Sequence, residues 1–298
     1  LGVFKNMKSL VIGNGESRSW FNPSKNIINH GRENTPQDYK TRDVITWGCN
    51  AIYRDGIVDN LVSVDYAMQQ EIVKSGYPLK NKCWFTNWST VPDFVVDTMF
   101  MGYDIPESFI NYSGERTDKC VISGKDPATL SEKIETAIQM NPDLDMNDLR
   151  MKMEKDAGVW ITYVTGEERI CSFGNYLSGW STGNTALHLA CDPPMHETLG
   201  RFPVKPDDVY MIGYDLSSYD KPLNNLYKGT GNYLPENAKG FSAVNWGKQL
   251  QEVFIRFPDI NFYWVDATEE GKTLADAFHL KNITYINKDK LCEELKIT

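Results

Sequence analysis

Short apolar runs alternate with amphipathic helical patterns along most of this chain. Such alternation is typical of a parallel sheet with helices on its faces, because each parallel strand needs a crossover that returns the chain to the same end of the sheet. We therefore predict an α/β, Rossmann-like, doubly wound fold with a mostly parallel sheet. The predicted strands are Ser9–Ile12, Val44–Trp47, Leu61–Val64, Cys83–Phe85, Val159–Val164, Val209–Ile212, Asn261–Val265 and Ile283–Ile286, and the predicted helices are Tyr66–Ser75, Thr182–Cys191, Ser242–Phe257 and Thr273–His279.

The stretch from residue 88 to residue 156 follows a different pattern. It is polar, lacks a clear strand rhythm and contains two helical patterns, near residues 127–140 and 146–155. We interpret it as a largely helical insertion or lid within one Rossmann-like domain that spans residues 1–298, since a chain of this length can form a single large domain.

Charge and apolar patterning restrict the classes of partner. The chain has 31 basic and 40 acidic residues, and its net charge of −9 repels polyanions, so we expect no bulk nucleic-acid binding. No apolar run reaches the roughly 18 residues that a membrane span needs, and the first residues lack a hydrophobic signal core. We expect a cytoplasmic protein without a transmembrane segment, and a homo-oligomer is compatible with these data.

The clearest chemical motif follows the first predicted strand, in the sequence Gly13-Asn14-Gly15-Glu16-Ser17-Arg18. Small residues at this place allow backbone N–H groups to approach a phosphate or a ribose, so Gly13, Asn14, Gly15 and Ser17 are candidate nucleotide-binding residues. An NAD site is disfavoured, because Arg18 replaces the third glycine of the dinucleotide fingerprint. A tight turn without a ligand is the alternative.

Polar residues also follow other predicted strands. These are Asn50, Asp65, Asn87 and Asp215. Ligands of open α/β sheets bind outside the carboxyl ends of the strands, so these side chains are candidates for one shared crevice. Asn and Asp also cap turns wherever strands end, which is the alternative interpretation for each of them.

A third motif, Gly179-Trp180-Ser181-Thr182-Gly183-Asn184-Thr185, opens the predicted helix that carries His188. Hydroxyl groups and glycines at a helix N-terminus can cap the helix, and they can also present N–H groups to an anion. We take Ser181, Thr182 and Gly183 as candidate ligands of a phosphate, with helix capping as the alternative.

Together these motifs carry a resemblance to known families. The ordered set is Gly13-Asn14-Gly15-x-Ser17, Cys49-Asn50, Ser181-Thr182-Gly183 and Ile212-Gly213-Tyr214-Asp215-Leu216. It resembles the bacterial sialyltransferases of lipooligosaccharide synthesis. It also resembles the motility-associated-factor proteins of flagellin glycosylation, whose domain is shared with an archaeal pterin pyrophosphokinase. The motifs cover about two thirds of the chain, without the insertion.

The sialyltransferase resemblance implies a Rossmann-like fold that binds CMP-sialic acid without a metal. It implies that Asn14 and Asn50 hold the nucleotide, that Thr182 and Gly183 line the phosphate and sugar, and that Asp215 lies at the cytosine or ribose end. In that family a His in a Tyr-rich segment is the general base, whereas residues 227–233 of this chain contain no His.

The candidates for catalysis are an aspartate, three tyrosines and a histidine. Asp215 is our first choice as the base that accepts a proton from an acceptor hydroxyl, and Tyr227, with Tyr219 and Tyr233, is a neutral donor to a leaving phosphate. The unperturbed pKa of a histidine, about 6.5, makes His188 a candidate base, although its place in an apolar helix is also typical of a structural His.

These observations lead to one preferred function and two alternatives. We expect a glycosyltransferase-like enzyme that transfers a nucleotide-activated sugar, with a CMP-sugar as one candidate donor, to a glycan or protein acceptor. No permanent cofactor and no protein-bound metal are expected, since Asp143-Leu144-Asp145 fits a helix cap better than a metal site. The alternatives are a nucleotide-dependent pyrophosphokinase-like enzyme and a non-catalytic binding or structural protein that retains the fold.

Overall fold

The computed structural model describes residues 7–26, 28, 43–86, 88–90, 119–123, 136, 139–140, 160–164, 167–173, 176–193, 205–216, 220–276 and 279–298. The chain divides into two compact units. The first consists of Leu1–Val62 and Leu177–Thr298, and the second is Ser63–Tyr176.

The regular elements, in chain order, are β1 (Lys8–Ile12), β2 (Val44–Cys49), β3 (Asn60–Ser63), α1 (Tyr66–Lys74), β4 (Cys83–Phe85), β5 (Trp88–Thr90), β6 (Lys119–Ser123), β7 (Trp160–Val164), β8 (Ile170–Ser172), α2 (Thr182–Cys191), β9 (Asp208–Ile212), α3 (Val244–Arg256), β10 (Asn261–Val265), α4 (Glu269–Asp276), β11 (Ile283–Ile286) and α5 (Lys288–Leu295). Short 3-10 helices cover Glu16–Arg18, Asn50–Arg54 and Tyr77–Leu79.

The first unit contains a parallel sheet with the strand order β11-β10-β9-β1-β2-β3. At its centre, Leu10 of β1 pairs with Thr46 of β2 on one side and with Tyr210 of β9 on the other. When these six strands are numbered in chain order, their order across the sheet is 3-2-1-4-5-6, as in dinucleotide-binding sheets. The order in which strands are added to the sheet reverses between β1 and β9, and the strands themselves stay parallel. The predicted α/β, Rossmann-like class is confirmed.

Burial explains why the central strands have nearly continuous apolar sequences. Every residue of β9 is buried, and Leu10, Val11 and Ile12 of β1 are at most 1% exposed. Helix α2 is buried along almost its whole length and contacts β1, β2 and β9. Strands covered on both faces need apolar residues at successive positions rather than at alternate ones.

The second unit contains two sets of strands. Strands β4 and β8 pair in parallel, with Cys83 opposite Ile170, and β5-β6-β7 form a separate antiparallel sheet. Gln69 belongs to α1, and its buried side chain donates hydrogen bonds to the carbonyl oxygens of Ser63 and Thr86. Gln69 therefore joins the helix to the ends of β3 and β4.

The predicted insertion is only partly described. Its described residues include β5 and β6, which the sequence pattern did not predict, and helical positions at 136 and 139–140. The rest of the two helical patterns near 127–140 and 146–155 lies outside the described residues. Short strands such as β5 present too few residues for a period of two to be recognised.

Helix α4 begins four residues before the predicted start at Thr273. The Thr268 hydroxyl accepts a hydrogen bond from the backbone N–H of Gly271 at 3.1 Å, so Thr268 caps the helix. Glycine is favoured at position 271 in this first turn, because an added Cβ would lie only 3.0 Å from the Trp264 ring. The apolar spacing alone did not reveal this cap.

The turns after β1 and β9 approach each other very closely. The N–H of Gly13 donates to the Ile212 carbonyl at 2.8 Å, and the N–H of Gly15 donates to the Gly213 carbonyl at 2.9 Å. A Cβ added to Gly13 would lie 2.4 Å from the Gly213 oxygen. Glycine is therefore required at position 13 by backbone packing alone, with or without a ligand.

We expect Gly13→Ala to lower the free energy of unfolding by about 1–3 kcal/mol, because the two turns must separate to admit the methyl group. Urea denaturation measures this change. Gly231→Ala is the matched control, since a Cβ there meets nothing within 4 Å, and its effect should stay within about 0.5 kcal/mol. Equal stability of the two variants would contradict the packing argument.

Candidate functional site at the strand-order reversal

The turn after β1 uses most of its backbone donors within the protein. In addition to the bonds of Gly13 and Gly15, the N–H of Glu16 donates to Asn224 Oδ1 and the N–H of Ser17 donates to Asp215 Oδ2, both at 2.8 Å. Because a carboxylate already takes the Ser17 N–H, a phosphate at this point would meet repulsion. This turn is therefore poorly suited to a phosphate.

Two buried oxygens in the same turn have unsatisfied hydrogen-bonding capacity. Asn14 Oδ1 and Ser17 Oγ find no hydrogen-bond partner among the described residues. The other polar groups of Asn14 are used, since its carbonyl accepts from the Leu226 N–H at 2.9 Å and its Nδ2 donates to the Tyr233 hydroxyl at 3.2 Å. Buried polar atoms without partners are uncommon, and they often mark a site that changes on binding.

Asp215 follows β9 and is half-buried at the reversal point. Its Oδ2 accepts from the Ser17 N–H, and an added Cβ at Gly15 would lie 2.6 Å from its carboxyl carbon. The carboxylate is thus positioned against the β1 turn, at the strand-order reversal where open α/β sheets bind their ligands.

The N-terminal turn of α2 is joined directly to the β9 turn. The Tyr214 hydroxyl donates to the Gly183 carbonyl at 2.5 Å. Ser181 Oγ accepts from the Asn184 N–H at 3.3 Å, so Ser181 is the helix cap. A Cβ at Gly183 would lie 3.8 Å from the Tyr214 ring, which is an ordinary contact, whereas Gly179 has a φ of +81°. The backbone therefore explains Gly179, and packing does not require glycine at Gly183.

Asn50 is brought to the same end of the sheet by β2. It is 9% exposed, has a φ of +48° and opens the 3-10 helix Asn50–Arg54. The N–H of the next residue, Ala51, donates to the Tyr233 hydroxyl at 3.3 Å. Tyr233 thus contacts both the β1 turn, through Asn14, and the β2 turn.

A buried ionic network lies behind these turns, and sequence reasoning did not identify it. Arg18, which is 1% exposed, donates to the Gly13 carbonyl through Nε and to the Tyr227 hydroxyl at 2.9 Å through Nη2. The Tyr227 hydroxyl in turn donates to Asp55 Oδ2 at 2.5 Å, and Arg18 Nη1 lies 3.7 Å from the same oxygen. The only sequence signal was Arg18 itself, a long charged residue where the dinucleotide fingerprint has glycine.

This network determines the state of Tyr227. Burial raises the pKa of its hydroxyl well above the ordinary value, and the neighbouring Arg18 charge opposes that increase only in part. Tyr227 is therefore a neutral donor, as expected, but in this conformation its proton is directed to Asp55. Its assignment as a donor to a leaving phosphate stays a prediction.

His188 has a structural environment. It is 3% exposed and lies between the rings of Trp180 and Phe257, with Arg256 Nη1 at 3.3 Å from Nε2. A guanidinium can only donate, so Nε2 is the acceptor and the ring is neutral. Burial, assisted by the Arg256 charge, lowers the pKa of His188 to about 4.

The remaining predicted residues are distributed as follows. Asp65 belongs to the second unit and occupies the N-cap position of α1, where its side chain makes no capping hydrogen bond. Residues outside the described part of the chain are His30, Asn87, Asp143, Asp145, His196 and Tyr219. A cavity of about 390 Å³ lies elsewhere, lined by Ala275, Asp276, His279, Leu280, Ile283 and Tyr285.

Among the described residues, no three or more His, Cys, Asp or Glu side chains are grouped so that they could hold a metal ion. Within the same residues, every helix is too short or too polar to span a bilayer.

No protein-family model, no curated protein and no solved structure matches this chain. The resemblance to sialyltransferases and to motility-associated-factor proteins stays a prediction.

The Arg18 network predicts a large effect from a small substitution. Tyr227→Phe should lower the free energy of unfolding by about 1–3 kcal/mol, because it leaves the buried Arg18 and the half-buried Asp55 short of a partner. Chemical denaturation measures the loss. Tyr176→Phe, at a half-exposed ring, is the control and should change stability little. A Tyr227→Phe variant as stable as this control would show that the network contributes little.

The depressed pKa of His188 predicts a pH dependence of stability. The unfolded chain binds a proton at His188 below pH of about 6.5, whereas the folded chain does so only near pH 4. The free energy of unfolding should therefore fall as the pH is lowered through this window, by up to about 3 kcal/mol.

Comparison of variants isolates this contribution from the carboxylates that titrate in the same range. His188→Gln should lose this part of the slope, and His279→Gln, at an exposed ring, should retain it. Parallel pH profiles for wild type and His188→Gln would contradict the assignment.

Proposed function

We propose that this protein is a glycosyltransferase-like enzyme that binds a nucleotide-activated sugar at the strand-order reversal between β1 and β9. One observation carries the proposal: the turns after β1, β2 and β9 and the N-terminus of α2 come together at the carboxyl ends of parallel strands. Open α/β sheets bind nucleotides at this position. The sequence resemblance adds sugar transfer to this general expectation.

The nucleoside part of the donor is assigned to the β1 and β9 turns. Asp215 offers a carboxylate, which is a suitable acceptor for ribose hydroxyl groups. Asn14 and Ser17 add buried oxygens that accept hydrogen bonds and have no partner among the described residues. A neutral, hydroxyl-rich group fits this set better than an anion does.

The phosphate is assigned to the N-terminal turn of α2 rather than to the β1 turn. Backbone donors of the β1 turn are already used, one of them by a carboxylate. The first turn of α2 carries the positive end of the helix dipole, and Ser181, Thr182 and Gly183 are its first residues. Tyr214 places this turn next to the Asp215 turn, within reach of a single nucleotide.

Asp215 has two candidate roles, ribose ligand and general base toward the acceptor hydroxyl. Its position at the strand-order reversal supports the first role, because nucleotides bind there and a carboxylate accepts hydrogen bonds from ribose hydroxyl groups. The second role requires the acceptor to reach the same carboxylate. His188 is left out of the mechanism, since its ring is buried between aromatic residues.

Binding assays test the assignment. Calorimetry with CMP, UMP, GMP and AMP, and with CMP-sialic acid and UDP- and GDP-sugars, should identify at least one ligand. ATP with Mg²⁺ and pterins represent the pyrophosphokinase alternative. A ligand present at 100 times its Kd should stabilise the fold by about 2.7 kcal/mol. If none of these compounds binds either wild type or a variant in which the loop after β9 is opened, the proposed function is wrong.

Asp215→Asn tests the ribose contact, because it retains an acceptor for the Ser17 N–H and removes the charge. We expect Asp215→Asn to raise the Kd for the preferred nucleotide about tenfold. Replacing that nucleotide by its 2′,3′-dideoxy analogue should weaken binding less in the variant than in wild type. Asp220→Asn, at an exposed site, is the control.

Kinetics separates the two roles of Asp215. A base would lower kcat by about 10²–10⁴ in Asp215→Asn and leave the nucleotide Kd nearly unchanged, which would assign Asp215 to proton transfer. We expect EDTA to leave sugar transfer unchanged, and loss of activity in EDTA would assign a metal to the reaction.

A further inference from the structure

We infer that the Tyr233 side chain occupies the nucleoside subsite in this structure and holds the protein in a closed, self-inhibited state. This inference rests on the proposed function, because it concerns the same site. It adds a means of regulation: the segment 228–233, named the tip here, must move away before a nucleotide binds.

The first argument is the position of the Tyr233 hydroxyl. It accepts hydrogen bonds from Asn14 Nδ2 at 3.2 Å and from the Ala51 N–H at 3.3 Å. One donor follows β1 and the other follows β2, so the hydroxyl lies between two adjacent strand ends beside the reversal point. A ribose or base oxygen in this part of a Rossmann-like sheet would need the same donors.

The second argument is that polar contacts near the protein surface hold the tip in place. The exposed Arg54 guanidinium donates to Thr230 Oγ1 at 2.8 Å and to the Gly231 carbonyl at 3.0 Å, and its centre lies 5.8 Å from the Tyr233 ring. Lys228 forms an ion pair with Glu16 at 2.5 Å. Contacts of this kind are individually weak in water, so the tip can open at modest cost.

The base of the same loop is held independently of the tip. Pro222 and Lys239 form an antiparallel bridge, and the N–H groups of Leu223 and Gly240 donate to the carbonyls of Ala238 and Lys221. The tip can therefore leave the β1 and β2 turns while the base stays paired. Gly229 and Asn232, both at positive φ, lie within the tip.

The third argument is that the closed state leaves polar atoms unsatisfied. The tip contacts Asn14 through its Nδ2, yet Asn14 Oδ1 and Ser17 Oγ have no partner among the described residues. Tyr233 replaces only part of the hydrogen bonding that a nucleoside with several hydroxyl groups would supply. The closed state is thus a poorer partner for this turn than a ligand would be.

Two variants test the inference in the full chain. Tyr233→Phe removes the hydroxyl, and Arg54→Gln removes the contacts to Thr230 and Gly231. Leu234→Ala, at the adjacent and exposed residue, is the control. Amide hydrogen exchange at Ala51, whose N–H donates to the Tyr233 hydroxyl, measures opening without any ligand. Exchange at Leu226, whose N–H donates to the Asn14 carbonyl outside the tip, reports on the part of the loop that stays in place.

We expect exchange at Ala51 to accelerate in Tyr233→Phe and Arg54→Gln and to stay unchanged in Leu234→Ala, with exchange at Leu226 unchanged in all three variants. Calorimetry with CMP, UMP, GMP and AMP should then give a Kd about five- to tenfold lower in the two variants than in wild type, because a larger fraction of the protein is competent to bind. If the two variants bind a nucleotide and wild type binds none, that result would support the inference equally.

Two further outcomes separate this inference from the proposed function. If the nucleotide binds wild type and binds Tyr233→Phe equally or more weakly, Tyr233 is not an inhibitor, and the proposed function stands. If exchange accelerates but no nucleotide binds any variant, both the nucleoside subsite and its self-inhibition are wrong. Unchanged exchange in both variants would overturn the closed state.

Discussion

The close approach of the turns after β1 and β9 is the constraint on which the candidate site depends. Gly13 and Gly15 allow their backbone N–H groups to reach the carbonyls that follow β9, and no larger residue fits there. This contact directs Asp215 onto the Ser17 N–H. The same glycines that predict a nucleotide loop from sequence are thus needed for packing, and the loop's donors are largely consumed by that packing.

Arg18 extends this arrangement to the loop that follows β9. Its guanidinium bonds to the Gly13 carbonyl and to Tyr227, which bonds to Asp55 after β2. A charge that is 1% exposed is tolerated because hydrogen bonds and a nearby carboxylate compensate it. Tyr227 therefore joins the loop after β9 to the β1 and β2 turns through one largely buried network, whereas polar contacts near the surface hold the tip, residues 228–233. A site that admits and then encloses a ligand requires a rigid base and a segment that can open.

The strand pattern allowed much of the fold to be predicted. Cys83–Phe85, Asn261–Val265 and Ile283–Ile286 are observed as predicted, because short runs of β-branched, aromatic and other apolar residues bounded by polar residues are typical of strands. The start of α4 was missed, since its cap at Thr268 lies before the apolar repeat. Strands β5 and β6 were missed as well, since they lie in a polar stretch without a clear period of two.

Local sequence determined the elements, the turn glycines and the Ser181 cap, because each depends on neighbouring residues along the chain. It also indicated which strand ends carry polar side chains. Only the tertiary structure decided that Asp215 faces the β1 turn, that Tyr227 is paired with Arg18 and Asp55, and that Tyr233 joins two strand ends. These contacts join residues that lie more than 150 positions apart in the chain, and such pairing depends on sheet order and loop packing, which no local pattern encodes.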